Sequence, residues 1–328
     1  MRRREFITLV SGAVACWPLA AHAQQPAKQV IGFIHLTSAE ETRDYLPAFH
    51  QGLNDTGYIE GRNIEVEYRW GQGRNNRLPG LIAELVQQQV SVIVTLESTL
   101  AAVAAKKATQ TIPVVFMQGA DPVQIGLVES LNHPGGNLTG INLLLAEVAA
   151  KRFELLLILV PGVRSVAYLR NPTNPGFAES ETREVQDAAQ RYGIQLQFLN
   201  ASDLNGVDKA FVDLAQKPTN ALFVSADGFL LTHSEHIVGL AAQNSMPAVY
   251  GWSQAVRLGG LMSYGTNFQY AWRQAGIYTG RILRGERPDS LPVQQVTKVE
   301  LFISQVTANA LGITVPLILV GLANEIIE

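Results

Sequence analysis

The chain alternates short β-branched apolar runs with longer stretches whose apolar residues recur at helical spacing. That is the pattern of a parallel sheet covered by helices. Val30 to Leu36 reads as a buried strand, Pro47 to Thr56 as a helix ending at Gly57, and Ile64 to Trp70 as an alternating second strand. A helix near Leu78 to Gln89, strand Val90 to Leu96, helix Leu100 to Thr109 and strand Pro113 to Met117 continue the series. Asp121-Pro122 reads as a helix start, because Asp accepts amide hydrogens as an N-cap and Pro has no N–H to lose at the first helical position. Pro134 to Asn137 is a turn ahead of strand Leu138 to Leu143.

The pattern then restarts. Helix Glu147 to Leu159 leads to strand Ser165 to Leu169, helix Gly176 to Tyr192, strand Ile194 to Leu199 and helix Val207 to Gln216. Strand Ala221 to Ser225, helix Leu231 to Asn244 and strand Ala248 to Tyr250 follow. The halves echo each other: Val90 to Glu97 parallels Asn220 to Asp227, and Thr111 to Phe116 parallels Ser245 to Tyr250. The reading is α/β, with two Rossmann-like lobes in tandem, each a parallel sheet flanked by helices. Helix Tyr270 to Leu283, strand Val299 to Ile303 and a closing helix complete both lobes if the chain crosses between them more than once. Gly140 and Gly265 sit in strand-ending segments where such crossings need permissive backbone.

The first residues change the picture from fold to compartment. Arg2, Arg3 and Arg4 form a positive start, Phe6 to Ala20 is apolar or small, and Ala21-His22-Ala23 supplies an A-x-A cleavage site. This predicts a secretory signal over residues 1–23, cleaved after Ala23, and hence a periplasmic location. Arg3-Arg4-Glu5-Phe6-Ile7 resembles the twin-arginine signal. The single cysteine, Cys16, lies inside this segment, so the mature chain has no disulfide, thiol nucleophile or thiolate metal site. Without Arg2, Arg3, Arg4 and Glu5, 25 basic against 28 acidic residues become 22 against 27, a net charge near −5. That balance is ordinary for solubility and unfavourable for nucleic acid, so no nucleic-acid partner is expected.

The ordered motifs carry a resemblance. Val30-Ile31-Gly32-Phe33, Phe49 to Leu53, Gly57 to Asn63, Ile112 to Phe116, Gly119 to Val123, Asn132 to Gly140, Asn171 to Pro175 and Gly259 to Gly265 run the length of the mature chain. Together they resemble the ABC-transporter substrate-binding proteins of the type I periplasmic fold, in the group that includes tryptophan- and phenylalanine-binding members. The resemblance implies two lobes joined by three hinge crossings, a small-molecule solute in the cleft, and delivery to a membrane permease with a cytoplasmic ATPase. Lobe one is then expected over 24–140 and 266–290, and lobe two over 141–265 and 291–328. A monomer without cofactor is expected.

In open parallel sheets ligands bind beyond the carboxyl ends of strands, where helix N-termini offer unpaired amides. Those ends select Ser38, Glu97, Ser98, Thr99 and Asp121 in the first lobe. In the second they select Arg170, Asn171, Asn174, Asp227, Phe229, Tyr250, Trp252 and Tyr264. Ser98 and Thr99 suit a carboxylate or simple helix capping; Asp121 suits a ligand amine or an N-cap. Asn171 and Asn174 reach a ligand or shape an Asx turn. Arg170 meets an anion or points outward. The four aromatics stack on a ring-bearing ligand or pack in the core. Glu97, Asp121 and Asp227 make the cleft negative, which favours an amine and, with the aromatics, an amino-acid-like solute.

Competing readings find less support. His233 and His236, at i, i+3, have metal-compatible spacing but no third ligand nearby, and read as a solvated helix face. No G-x-S-x-G, P-loop or G-x-G-x-x-G motif points to a hydrolase or a nucleotide enzyme. A sugar-responsive repressor needs a helix-turn-helix ahead of the first strand, where the export signal stands. A sensory module feeding a chemoreceptor or kinase shares every feature above.

Overall fold

The computed structural model describes residues 28–328. The expected export signal, cleavage site and Cys16 lie outside the described residues. In chain order the first half runs β1 (Gln29–His35), α1 (Leu46–Asp55), β2 (Ile64–Trp70), α2 (Leu78–Gln87), β3 (Val92–Leu96), α3 (Thr99–Ala108), β4 (Val114–Gln118) and β5 (Leu138–Asn142). The second half runs α4 (Ala149–Leu159), β6 (Ser165–Arg170), α5 (Pro175–Tyr192), β7 (Gln195–Asn200), α6 (Leu204–Gln216), β8 (Ala221–Val224), α7 (Gly228–Thr232), α8 (Ser234–Gln243), β9 (Ala248–Tyr250), α9 (Ser253–Arg257) and β10 (Met262–Thr266). The chain closes with α10 (Phe268–Leu283), β11 (Gln294–Gln295), β12 (Val299–Ser304), α11 (Gln305–Ala310), α12 (Leu317–Leu322) and β13 (Glu325–Ile327).

Two sheets result, ordered β11-β5-β4-β3-β1-β2 and β13-β12-β10-β9-β8-β6-β7. Every pairing is parallel except β10 with β12. This is the α/β architecture of two helix-flanked, mostly parallel sheets. In each sheet the order reverses about one strand, β1 in the first and β6 in the second. Their carboxyl ends are the switch points where ligands bind.

The chain passes between the sheets three times, after β5, after β10 and after β11. Backbone bonds fuse the crossings into one hinge: Val296 N–H donates to Asn142 C=O (2.9 Å) and Asn267 N–H to Lys298 C=O (3.0 Å). The Thr266 hydroxyl adds a bond to Leu143 C=O. The pattern put the last crossing at 290/291, but Gln294 and Gln295 pair with Ile141 and Asn142, so it falls after residue 295. A two-residue strand has no periodicity to read.

Two other sequence readings are corrected. Asp121-Pro122 starts a turn rather than a helix: Asp121 Oδ1 accepts from Val123 N–H (2.8 Å) and Gln124 N–H (3.2 Å), but the helical bonding stops within a turn. The helix read over Leu231 to Asn244 is two, α7 and α8, divided at His233.

Helices α1 and α10 cover one face of the first sheet, and they cross at glycines. A Cβ on Gly52 would overlap Arg273 C=O, and one on Gly276 would overlap Phe49 C=O. Gly276→Ala is expected to destabilise the fold by about 1–3 kcal/mol through overpacking. By contrast Gly239, inside α8 with no atom within 4 Å of an added Cβ, is expected to gain about 0.5–1 kcal/mol as alanine. Urea unfolding of both variants checks the pair; equal effects would contradict the crossing geometry.

Candidate functional site

The carboxyl ends of the two sheets face each other across a cleft that is shut. An added Cβ on Gly228 would sit 3.0 Å from Glu97 C=O, and one on Gly176 would meet Ile125 Cγ2 at 2.7 Å. Arg183 Nη2 of the second lobe donates to Gln124 Oε1 of the first (3.2 Å). Between the lobes lies a narrow chamber. Its apolar wall is Leu143, Leu145, Phe177, Leu231, Trp252 and Phe268, and its polar groups come from Glu97, Thr99, Asn174 and Asp227. Among the described residues, no lysine, arginine or histidine lines it.

Asp227 organises the second lobe's side. It is buried, and its carboxylate accepts from Asn171 Nδ2 (2.9 Å), Asn174 Nδ2 (2.9 Å) and the Phe229 amide (2.9 Å). Burial pushes its carboxyl above the usual range, and the bonds from Asn174, Asn171 and the Phe229 and Leu230 amides pull back only partly. A carboxylate only accepts, so both asparagines must turn their NH₂ groups toward it. Asn171 Oδ1 is then taken up by Thr173, through N–H (3.0 Å) and O–H (2.7 Å). Asn174, which also lines the chamber, keeps its Oδ1 as an acceptor.

On the first lobe, Glu97 leaves β3 with φ 57°, a left-handed conformation that costs a non-glycine residue energy and turns its side chain into the cleft. Trp272 Nε1–H donates to its Oε1 (2.5 Å), and His35 Nε2 lies 3.4 Å from Oε2. Thr37 N–H donates to His35 Nδ1 (3.2 Å), which leaves the ring proton on Nε2, toward Glu97. Ser98 caps α3 by accepting from Ala101 N–H (3.1 Å), so its own O–H remains a donor. Thr99 donates to Gln118 Oε1 (3.0 Å), so its oxygen remains an acceptor. The first amides of α3 have no acceptor within the helix.

Of the residues expected from sequence, Glu97, Thr99, Asn174, Asp227 and Trp252 line the chamber. Ser98, Asn171 and Phe229 line the adjoining narrow neck of the same cleft. Five stand elsewhere. Ser38 closes a turn on Glu41, by O–H (2.6 Å) and N–H (2.8 Å). Asp121 holds the turn described above. Arg170 bonds Asn200 (3.0 Å) and Thr182 (3.0 Å) and lies over Phe198 (4.7 Å), on the outer side of the second sheet. Tyr250 is core, packed where Gly260 leaves room for its ring. Tyr264 packs against the opposite core of the second lobe, because its neighbours on β10 alternate faces. As for the histidines, His236 pairs with Asp208 (2.6 Å) and His233 packs edge-on to Phe229 (4.7 Å).

Sequence reasoning missed Leu143, Leu145, Phe177, Leu231 and Phe268. Each lies just past a strand end or crossing, so a search one turn into each following segment would have found them. The His35–Glu97–Trp272 cluster carried no such signal.

A family model described as ABC transporter substrate binding protein matches residues 29–327, nearly every described residue. The chain belongs to this family. The tyrosine-binding protein of Clostridioides difficile is 26% identical over 263 residues, covering 80% of this substrate-binding protein and 75% of the relative. The ABC domain in complex with L-Trp from Streptococcus pneumonia superposes with a TM-score of 0.84 at 22% identity, covering 92% of this chain and all of the other. A ligand-free, open substrate binding protein from Clostridium difficile, also 22% identical, covers 88% and 96% but reaches only 0.64. Both likenesses show the fold of this substrate-binding protein.

Proposed function

We propose that this protein is the periplasmic receptor of an importer for an amino acid with a large, aromatic side chain. The observation that carries this is the chamber lining: two carboxylates and two neutral polar side chains beside large apolar and aromatic ones, with no cationic side chain among the described residues that line it. An α-ammonium group suits Asn174 Oδ1 and the Glu97 carboxylate. An α-carboxylate suits the Ser98 hydroxyl and the free amides at the start of α3. The side chain occupies the space among Phe177, Trp252 and Phe268. Relatives that bear tyrosine and L-Trp in their descriptions support the same class.

Binding acts by hinge closure. The residues that meet the ligand come from both lobes, so ligand stabilises the shut form over open ones. The shut surface is what a membrane permease, driven by a cytoplasmic ATPase, recognises. The residue 1–23 signal delivers the chain across the membrane; no helix among the described residues is long and apolar enough to cross one.

The test is native mass spectrometry of the mature protein, followed by thermal shift across the amino acids. A bound amino acid, or stabilisation of about 2.7 kcal/mol at a hundredfold excess over Kd by tryptophan, tyrosine or phenylalanine, is expected. X-ray scattering is expected to show a smaller radius of gyration on saturation. An empty protein that no amino acid stabilises would overturn the ligand class.

A further inference from the structure

We propose that the Phe268 ring is a partition that limits the site to a single amino acid, and that shortening it admits aromatic dipeptides; this rests on the amino-acid reading of the cleft. Among the described residues, Phe268 alone lines both the ligand chamber and a second, wider groove. That groove is bounded by Tyr45 of the first lobe, Arg257 and Glu325 of the second, and Asn267 and Glu300 at the hinge. Removing the ring is expected to join the two spaces.

The partition is held from behind. Phe268 packs on Tyr45 (5.9 Å between ring centres), Tyr45 stacks on Trp272 (5.9 Å, 24° between planes), and Trp272 is anchored on Glu97. The backbone under it is also set: Phe268 is the first residue of α10, whose cap Asn267 accepts from Tyr270 N–H (2.6 Å) and donates to Glu300 Oε1 (2.5 Å). The ring is therefore a fixed wall within the closed form.

The groove beyond suits the added half of a dipeptide rather than a longer hydrocarbon. Gln254, Gln269 and Ser253 offer amide and hydroxyl partners for a peptide unit. The Arg257–Glu325 pair (2.9 Å) offers both signs of charge to a displaced terminus. Phe268→Ala opens the passage widely. Phe268→Val opens it less and keeps apolar filling, which guards against loss of the fold.

The experiment is calorimetric titration of wild type and both variants with free tryptophan, Trp-Gly and Gly-Trp, beside melting curves. Wild type is expected to bind tryptophan and reject both dipeptides. Phe268→Ala is expected to shift the ratio of dipeptide to tryptophan affinity upward by about tenfold or more for at least one dipeptide, with Phe268→Val shifted less in the same direction. An unchanged ratio in both variants, or wild type that binds a dipeptide as tightly as tryptophan, overturns the partition while leaving the amino-acid reading intact. Wild type that binds no aromatic amino acid overturns that reading and the partition with it.

Discussion

Asp227→Ala is expected to weaken ligand binding by about 100-fold, with a smaller effect on folding. The substitution removes three supports at once. The amides of Asn171 and Asn174 lose the acceptor that orients them, so Asn174 is no longer held in place at the chamber wall. The short helix α7 loses its cap. The chamber also loses one of its two carboxylates, which weakens its attraction for an ammonium group. Asp227→Asn keeps the shape but turns an NH₂ group toward one asparagine donor, so an intermediate loss of about tenfold is expected. Calorimetric titration measures both. Equal affinity in Asp227→Ala and wild type would remove Asp227 from the site.

Glu181→Ala is expected to cost about 3–5 kcal/mol of stability, because it leaves Arg152 charged and buried without its partner. Both side chains are 0% exposed and 2.5 Å apart, and Arg152 also lies over Phe223 (4.8 Å). Burial pushes the Glu181 carboxyl up and the Arg152 guanidinium down, while each draws the other back toward its charged form. Glu181 further accepts from the Tyr168 hydroxyl (2.9 Å), the Ser225 hydroxyl and the Ala226 amide (3.0 Å). Replacing both charges with apolar residues is therefore not expected to restore stability, since three donors would still be stranded. Ser225 and Ala226 lead directly into Asp227, so weaker ligand binding is expected alongside the lower urea midpoint. A midpoint within experimental error of wild type would contradict this account.

The strands and most helices were legible because a period of two or 3.6 is written locally, and the turns and caps that punctuate it are short-range. The clustering of Glu97, Thr99, Asn174, Asp227 and Trp252 was legible for the same reason: strand ends in parallel sheets carry the ligand loops. What local pattern did not reveal is which way a side chain at such an end turns. Arg170 ends β6 beside Asn171, yet Arg170 faces Asn200, Thr182 and Phe198 while Asn171 faces Asp227. One residue along a strand reverses the face, and boundary errors of one residue are ordinary.

By itself, then, the sequence determined two α/β lobes and the strand ends where Glu97, Thr99, Asn174, Asp227 and Trp252 stand. Tertiary structure decided which of those residues share a chamber. Glu97 meets Trp272 from 175 positions away, and Asn171 meets Asp227 across 56. The lobes' apposition decided the rest, setting Gly228 against Glu97, Gly176 against Ile125, and Phe268 between two cavities. Such contacts depend on crossing angles and on a hinge built from three distant crossings, and no window of local periodicity contains them.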